Sequence, residues 1–145
     1  MNLNSNSIGL DIAESHGLVL SQESIYLMAI IEAQPGFTVK PLAPSRSAVP
    51  SVLIYKVFEK MFAIVSIRGA DGVILKCDAE KVMLLREQYE GIGHRSHLDS
   101  RFWISVSLDA DVPIDQIERL VEHSYEQVCA KLTKKQKREL LDLQR

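Results

Sequence analysis

The residues with most chemical potential lie between positions 77 and 123. His94 and His97 stand three apart with Asp99 just beyond, a spacing that could open a metal site if a third ligand such as His123 joined them. They fall in a loop that follows Gly91 and Gly93, however, not on a helix that would hold both rings on one side. Cys77 precedes Asp78 at a strand-to-helix junction, where a helix N-terminus lowers a thiol pKa. The apolar run before it favours a small core residue instead. Asp109 and Asp111 form a carboxylate pair just ahead of Pro113, where capping of the following helix is the economical role. Trp103 beside Arg101 offers an indole and a guanidinium that could stack on a base or clasp a peptide. Phosphate-cradling GxGxxG and GxxxxGK[ST] patterns, the HExxH motif, the EF-hand loop and the GxSxG nucleophile turn are all absent. The expectation is a binding module without an enzymatic centre, a metal or a cofactor.

The elements that would position these residues can be read from periodicity. After an Asn/Ser-rich opening (Met1–Ser7, expected to fray) comes a short helix, then one capped by Ser21 and running to about Ala33, closed by Pro35-Gly36. Residues 51–57 and 61–68 read as a hairpin, Val73–Cys77 as the next strand, and Arg101–Leu108 as another, with Ile104 and Val106 opposite Trp103 and Ser105. Helices are expected from Asp78 to about Tyr89 and, starting at Pro113, over Ile114–Leu132. Thr133-Lys-Lys-Gln136 matches a capping box for a last short helix. Short connections favour an antiparallel sheet, giving a two-layer α+β fold with helices over one face. The chain divides into an N-terminal extension (1–20), an α+β domain (21–132) and a basic C-terminal helix or tail (133–145).

The 145 residues leave room for one core. Two cysteines without paired spacing imply reduced thiols and a cytoplasmic protein. No apolar run is long enough for a membrane span, and no leader pattern opens the chain. The net charge of −2 is unevenly distributed: residues 1–39 carry four acids and no base, whereas Lys131, Lys134, Lys135, Lys137 and Arg138 crowd the end. A lysine-rich terminus could touch phosphates, with an affinity that falls steeply with salt.

Four segments resemble one family. Ile54-Tyr-Lys-Val-Phe-Glu-Lys-Met-Phe-Ala63 is similar to the FKVGGKMFA hairpin of the YjbR/MmcQ family. Leu75-Lys-Cys-Asp78 with Leu85-Arg-Glu-Gln-Tyr89 resembles its LKCDPE and LREQY segments, and His97-Leu-Asp-Ser-Arg-Phe-Trp103 its HLNKRHW. Asp109–Pro113 followed by His123-Ser-Tyr125 resembles LDGDVP and DHSYELV. The resemblance spans roughly residues 25–132. It implies a fold akin to type III secretion chaperones and the DNA-binding label the family carries, with Lys56, Lys60, Lys76, His97, Arg101 and Trp103 at the matching positions. Asp99-Ser100 replaces the family's Asn-Lys and so exchanges a positive group for a negative one. Phe58-Glu59 replaces its Gly-Gly, which predicts a different hairpin turn, since these residues resist positive φ. The leading expectation is DNA binding through residues 94–103 and the basic tail. A protein-interaction or chaperone-like adaptor is the alternative. A small-ligand carrier with a pocket near Cys77, His97 and Trp103 is a further one. The oligomeric expectation is a monomer or weak dimer.

Overall fold

The computed structural model describes residues 7–144; the expected fraying of the first residues lies, except for Ser7, outside them. Two helices, α1 (Ile8–Ser15) and α2 (Gln22–Glu32), lead into strands β1 (Phe37–Leu42), β2 (Val52–Val57), β3 (Lys60–Ser66) and β4 (Gly72–Lys76). Helix α3 (Ala79–Gln88), the two-residue β5 (Ile92–Gly93), β6 (Trp103–Ser107), α4 (Ile114–Cys129) and α5 (Lys134–Leu143) follow. The strands form one sheet in the order β1-β2-β3-β4-β6-β5, every pairing antiparallel. This is the α+β architecture expected.

Alternation along the strands divides the sheet into two unlike faces. Leu53, Tyr55 and Val57 of β2, Phe62, Ala63 and Val65 of β3, Val73 and Leu75 of β4, and Ile104 and Val106 of β6 are all buried. Helix α4 lies over β3 and β4 and contributes Ile117, Leu120, Val121, Tyr125 and Val128 to this core. α2 adds Leu27, Met28 and Ile31, and α1 adds Leu10 and Ala13. The capping box at Thr133 forms as the sequence indicates.

One local irregularity joins the sheet to α4. Tyr55 pairs with Ala63 but Lys56 with Met61, so Phe62 is an extra residue bulged into β3. The bulge lets Phe62 and Ala63 both face the helices, and Phe62 meets Tyr125 edge-on at 5.3 Å. On the β4 side the pairing begins only at Ala63–Leu75, one step beyond the Phe62 carbonyl. The fully buried Ser124 hydroxyl donates to that carbonyl at 2.6 Å and accepts from the Lys76 amide at 2.9 Å, so one side chain of α4 satisfies a backbone group on each of β3 and β4.

The hairpin between β2 and β3 corrects a sequence expectation. Phe58 and Glu59 form a two-residue connection in which both have positive φ, 46° and 64°. This is the turn a Gly-Gly pair would make, imposed here on two residues with Cβ atoms. The right-handed twist of the strands selects it, and Phe58 packs against the core, which holds it in place. Left-handed backbone costs about 1–2 kcal/mol per non-glycine residue. The exposed Glu59→Gly change is therefore expected to raise stability by about 1 kcal/mol in urea unfolding; a loss of stability would show that the turn is unstrained.

Two further readings are corrected. The stretch around Gly91 and Gly93 is not all loop: Ile92-Gly93 forms the short edge strand β5. Asp111 does not cap α4, which has no side-chain cap. Its carboxylate instead accepts the Glu90 and Gly91 amides at 2.9 and 2.8 Å, tying the turn after α3 to the turn after β6. Those bonds hold the Asp111 pKa below the usual carboxylate range.

Candidate functional site

Among the described helices none packs on the second face of the sheet, and its composition is distinctive. Cross-strand partners share a face, so the register Lys40–Ile54–Ile64–Ile74–Ser105 defines one row across β1, β2, β3, β4 and β6. The Lys76–Trp103 pair lies nearer one end. The strands carry Lys40, Lys56, Lys60 and Lys76 and no Asp or Glu at all. In a chain with 19 acidic and 17 basic residues, that is a strong segregation of charge.

The basic groups concentrate at the end where β2 turns into β3 and β4 leaves the sheet. Lys76 Nζ lies 5.9 Å from the centre of the Trp103 ring, within cation–π range. Partial burial, followed by the nearby charges of Lys131 and Lys60, depresses the Lys76 pKa. Lys56 has one acidic neighbour, Glu59 at 3.9 Å. α5 closes over the same end, its Leu140 reaching Gly36 at the start of β1. The lysine-rich C-terminal segment therefore sits beside the lysines of the sheet.

Trp103 is held from behind. Arg86, in the last turn of α3, donates through one guanidinium nitrogen to the carbonyls of Ser100 and Trp103 at 2.8 and 3.2 Å. Strand β4 adds the Cys77 amide, which donates to the Phe102 carbonyl at 2.8 Å. Both contacts fix the loop that runs into β6.

The other residues of the 94–103 segment are placed differently. Arg101 precedes the strand and forms a bidentate pair with Asp99, at 3.1 and 2.8 Å, with its guanidinium also over the Phe102 ring. Hydrogen bonds from Arg101 hold the Asp99 pKa down to about 2. Arg101 and Trp103 thus do not form the joint exposed pair that their spacing suggested. His97 stands exposed on the loop, and His94 is turned inward onto the Leu98 carbonyl at 2.6 Å. His123, on α4, faces Asp78, with Nε2 3.3 Å from both its amide and its carboxylate. Burial and then Lys81 lower its pKa. The three histidines therefore do not converge, and no group of three metal-ligating side chains occurs among the described residues. Cys77 is 1% exposed, and burial, reinforced by Asp78, pushes its thiol up to about 11. The sequence resemblance pointed to Lys56, Lys60, Lys76, His97, Arg101 and Trp103, of which the last three belong to the loop and the start of β6. It missed Arg86 and Ser124, whose roles depend on backbone groups that only the folded sheet presents.

An antiparallel sheet helix-covered on one face, with lysines and an indole on the other, defines an open-faced α+β protein. The YjbR family model matches residues 33–127, which cover most of the sheet and α4. The chain belongs to the YjbR family. It is 37% identical over 87 residues to an uncharacterized protein YjbR of Escherichia coli K12, covering 59% of this chain and 73% of that protein. The corresponding protein of Escherichia coli O157:H7 matches equally. A crystal structure of a Deinococcus radiodurans protein with a DUF419 domain superposes with a TM-score of 0.68 at 27% identity, over 79% of this chain and 84% of that one. A protein from Pseudomonas syringae shares the fold, with a TM-score of 0.54 at 24% identity over 75% of this chain and 99% of that one. α1, α2 and α5 lie outside the family match. No helix among the described residues is long and apolar enough to cross a membrane.

Proposed function

We propose that this protein is a non-enzymatic nucleic-acid-binding module that lays a single strand of DNA across the bare face of its sheet. The observation that carries the reading is the segregation of charge: every charged residue in the strands is a lysine, and Trp103 lies beside Lys76. Lysines supply phosphate attraction without sequence preference, and an indole supplies a stacking surface for an unpaired base. A phosphate near Lys76 would offset the repulsion from Lys131 and Lys60 that adds to burial in lowering its pKa. Lys56, Lys60, Lys76 and Trp103 are the residues assigned to binding. Arg101 is already satisfied by Asp99, and His97 lies on the flanking loop.

Trp103 is the protein's single tryptophan, so its emission reports directly on the site. A short single-stranded oligonucleotide is expected to quench it at low salt. Contact with about three phosphates would give a log–log salt slope near −2. The double change Lys56→Glu with Lys76→Glu is expected to weaken binding at least tenfold. Absence of quenching at low salt, or an affinity indifferent to the charge reversal, would sink the proposal. A second reading draws on the Ile54–Ile64–Ile74 row, an apolar stripe that suits a protein partner. Salt-insensitive capture of a protein on this face, with no oligonucleotide binding, would favour it.

A further inference from the structure

We propose that a cleft at the Gly72 end of the bare face is a subsite for one unstacked guanine. This rests on the nucleic-acid reading above and adds which base the face selects. The cleft has a volume of 270 Å³, ample for a single base. It exists because this end of the face carries small residues: Gly72, Ser105 and Ser107 stand here, whereas Lys76 and Trp103 fill the other end. A Cβ on Gly72 would come to 3.0 Å of the Val106 carbonyl oxygen, so the position resists a side chain.

The floor is made by Ile64 and Ile74, paired directly across β3 and β4, an apolar plate on which a flat ring can rest. The rim is polar and contains both kinds of partner. Asp71 accepts, Arg95 donates, and neither takes part in an ion pair among the described residues. Ser105 Oγ already accepts the Arg95 amide at 2.7 Å, which leaves its own proton for a ligand. An apolar floor with an acceptor and a donor at its rim suits a nucleobase. Guanine is the base that places two N–H donors side by side, matching a carboxylate, and two acceptors, O6 and N7, matching a guanidinium fork. Thymine flanks its single N–H with two carbonyls, which a carboxylate repels.

The test compares an oligothymidylate with the same oligomer carrying one central guanine, using Trp103 emission and anisotropy at low salt. The guanine oligomer is expected to bind roughly tenfold more tightly, in the range a bidentate base contact provides. Asp71→Asn, a near-isosteric change at the rim, should bring the two affinities together while leaving that for oligothymidylate within about twofold. Ser107→Leu, which fills the cleft, should do the same. Measurable binding with no guanine preference overturns this inference alone. A guanine preference that survives Asp71→Asn also overturns it, because the base is then read elsewhere. No binding of either oligomer overturns it together with the nucleic-acid reading.

Discussion

Ser124→Ala is expected to destabilise the protein by about 2–4 kcal/mol, because it strands two buried backbone groups at once. The hydroxyl is fully buried and bonds the Phe62 carbonyl and the Lys76 amide, one on each of two neighbouring strands. The β-bulge places Phe62 against Tyr125, and the β3–β4 pairing begins only at Ala63–Leu75, so the serine bridges the two strands just where their ladder starts. Urea unfolding measures the loss directly. A change below about 0.5 kcal/mol would mean that the strands close on each other when the hydroxyl is removed. The effect has a functional side, since the amide concerned is that of Lys76, the lysine beside Trp103.

Glu32→Ala is expected to cost about 3 kcal/mol and to release α1 from the domain. This carboxylate, at the end of α2, accepts from the Ser7 hydroxyl, the Ile8 and Gly9 amides and the Tyr55 hydroxyl, at 3.1, 3.0, 3.1 and 2.6 Å. It thus occupies the N-terminus of α1, where a negative charge complements the helix dipole. It also satisfies a phenol whose pKa burial, with help from Glu32, drives far above its ordinary value. Bonds to a charged acceptor contribute about 1.5–3 kcal/mol each, though groups sharing one carboxylate do not add in full. Gly9 allows the approach, since a Cβ there would overlap the Tyr55 hydroxyl and Glu32. Hydrogen exchange should show the α1 amides losing protection before the sheet does. Glu32→Gln, which keeps an acceptor oxygen, should recover part of the stability. Protection of α1 equal to that of the unaltered protein would show that Leu10 and Ala13 hold the helix by packing alone.

Much of the scaffold was legible because local periodicity and turn chemistry express it directly. Ser21, Asp78 and Thr133 announce three helices, and each side chain caps in the way its type allows. The alternation from Trp103 to Val106 separates a covered face from a bare one. The failures concern groups whose partners or backbone conformation the folded chain, not their own residue type, selects. Asp111 looked like a cap for the helix beside it and instead binds amides 20 and 21 residues earlier. Phe58 and Glu59 looked unfit for a tight turn, but strand twist and packing of Phe58 impose one. Arg101 looked like a neighbour for Trp103 on a strand, yet it precedes the strand and pairs with Asp99.

The sequence by itself determined that this is an α+β domain with lysines in its strands and a single tryptophan, and its motifs pointed to the family. Those properties are carried by residue order and side-chain type. Only the tertiary structure decided that Lys56 and Lys76 share one end of the bare face with Trp103, that Lys60, paired with the buried Val57, stands at the same end on the other side of the sheet, and that a cleft opens at the opposite end. The physical reason is that register and a one-residue bulge assign every side chain in a strand to a face, and both are fixed by pairings between segments far apart in the chain.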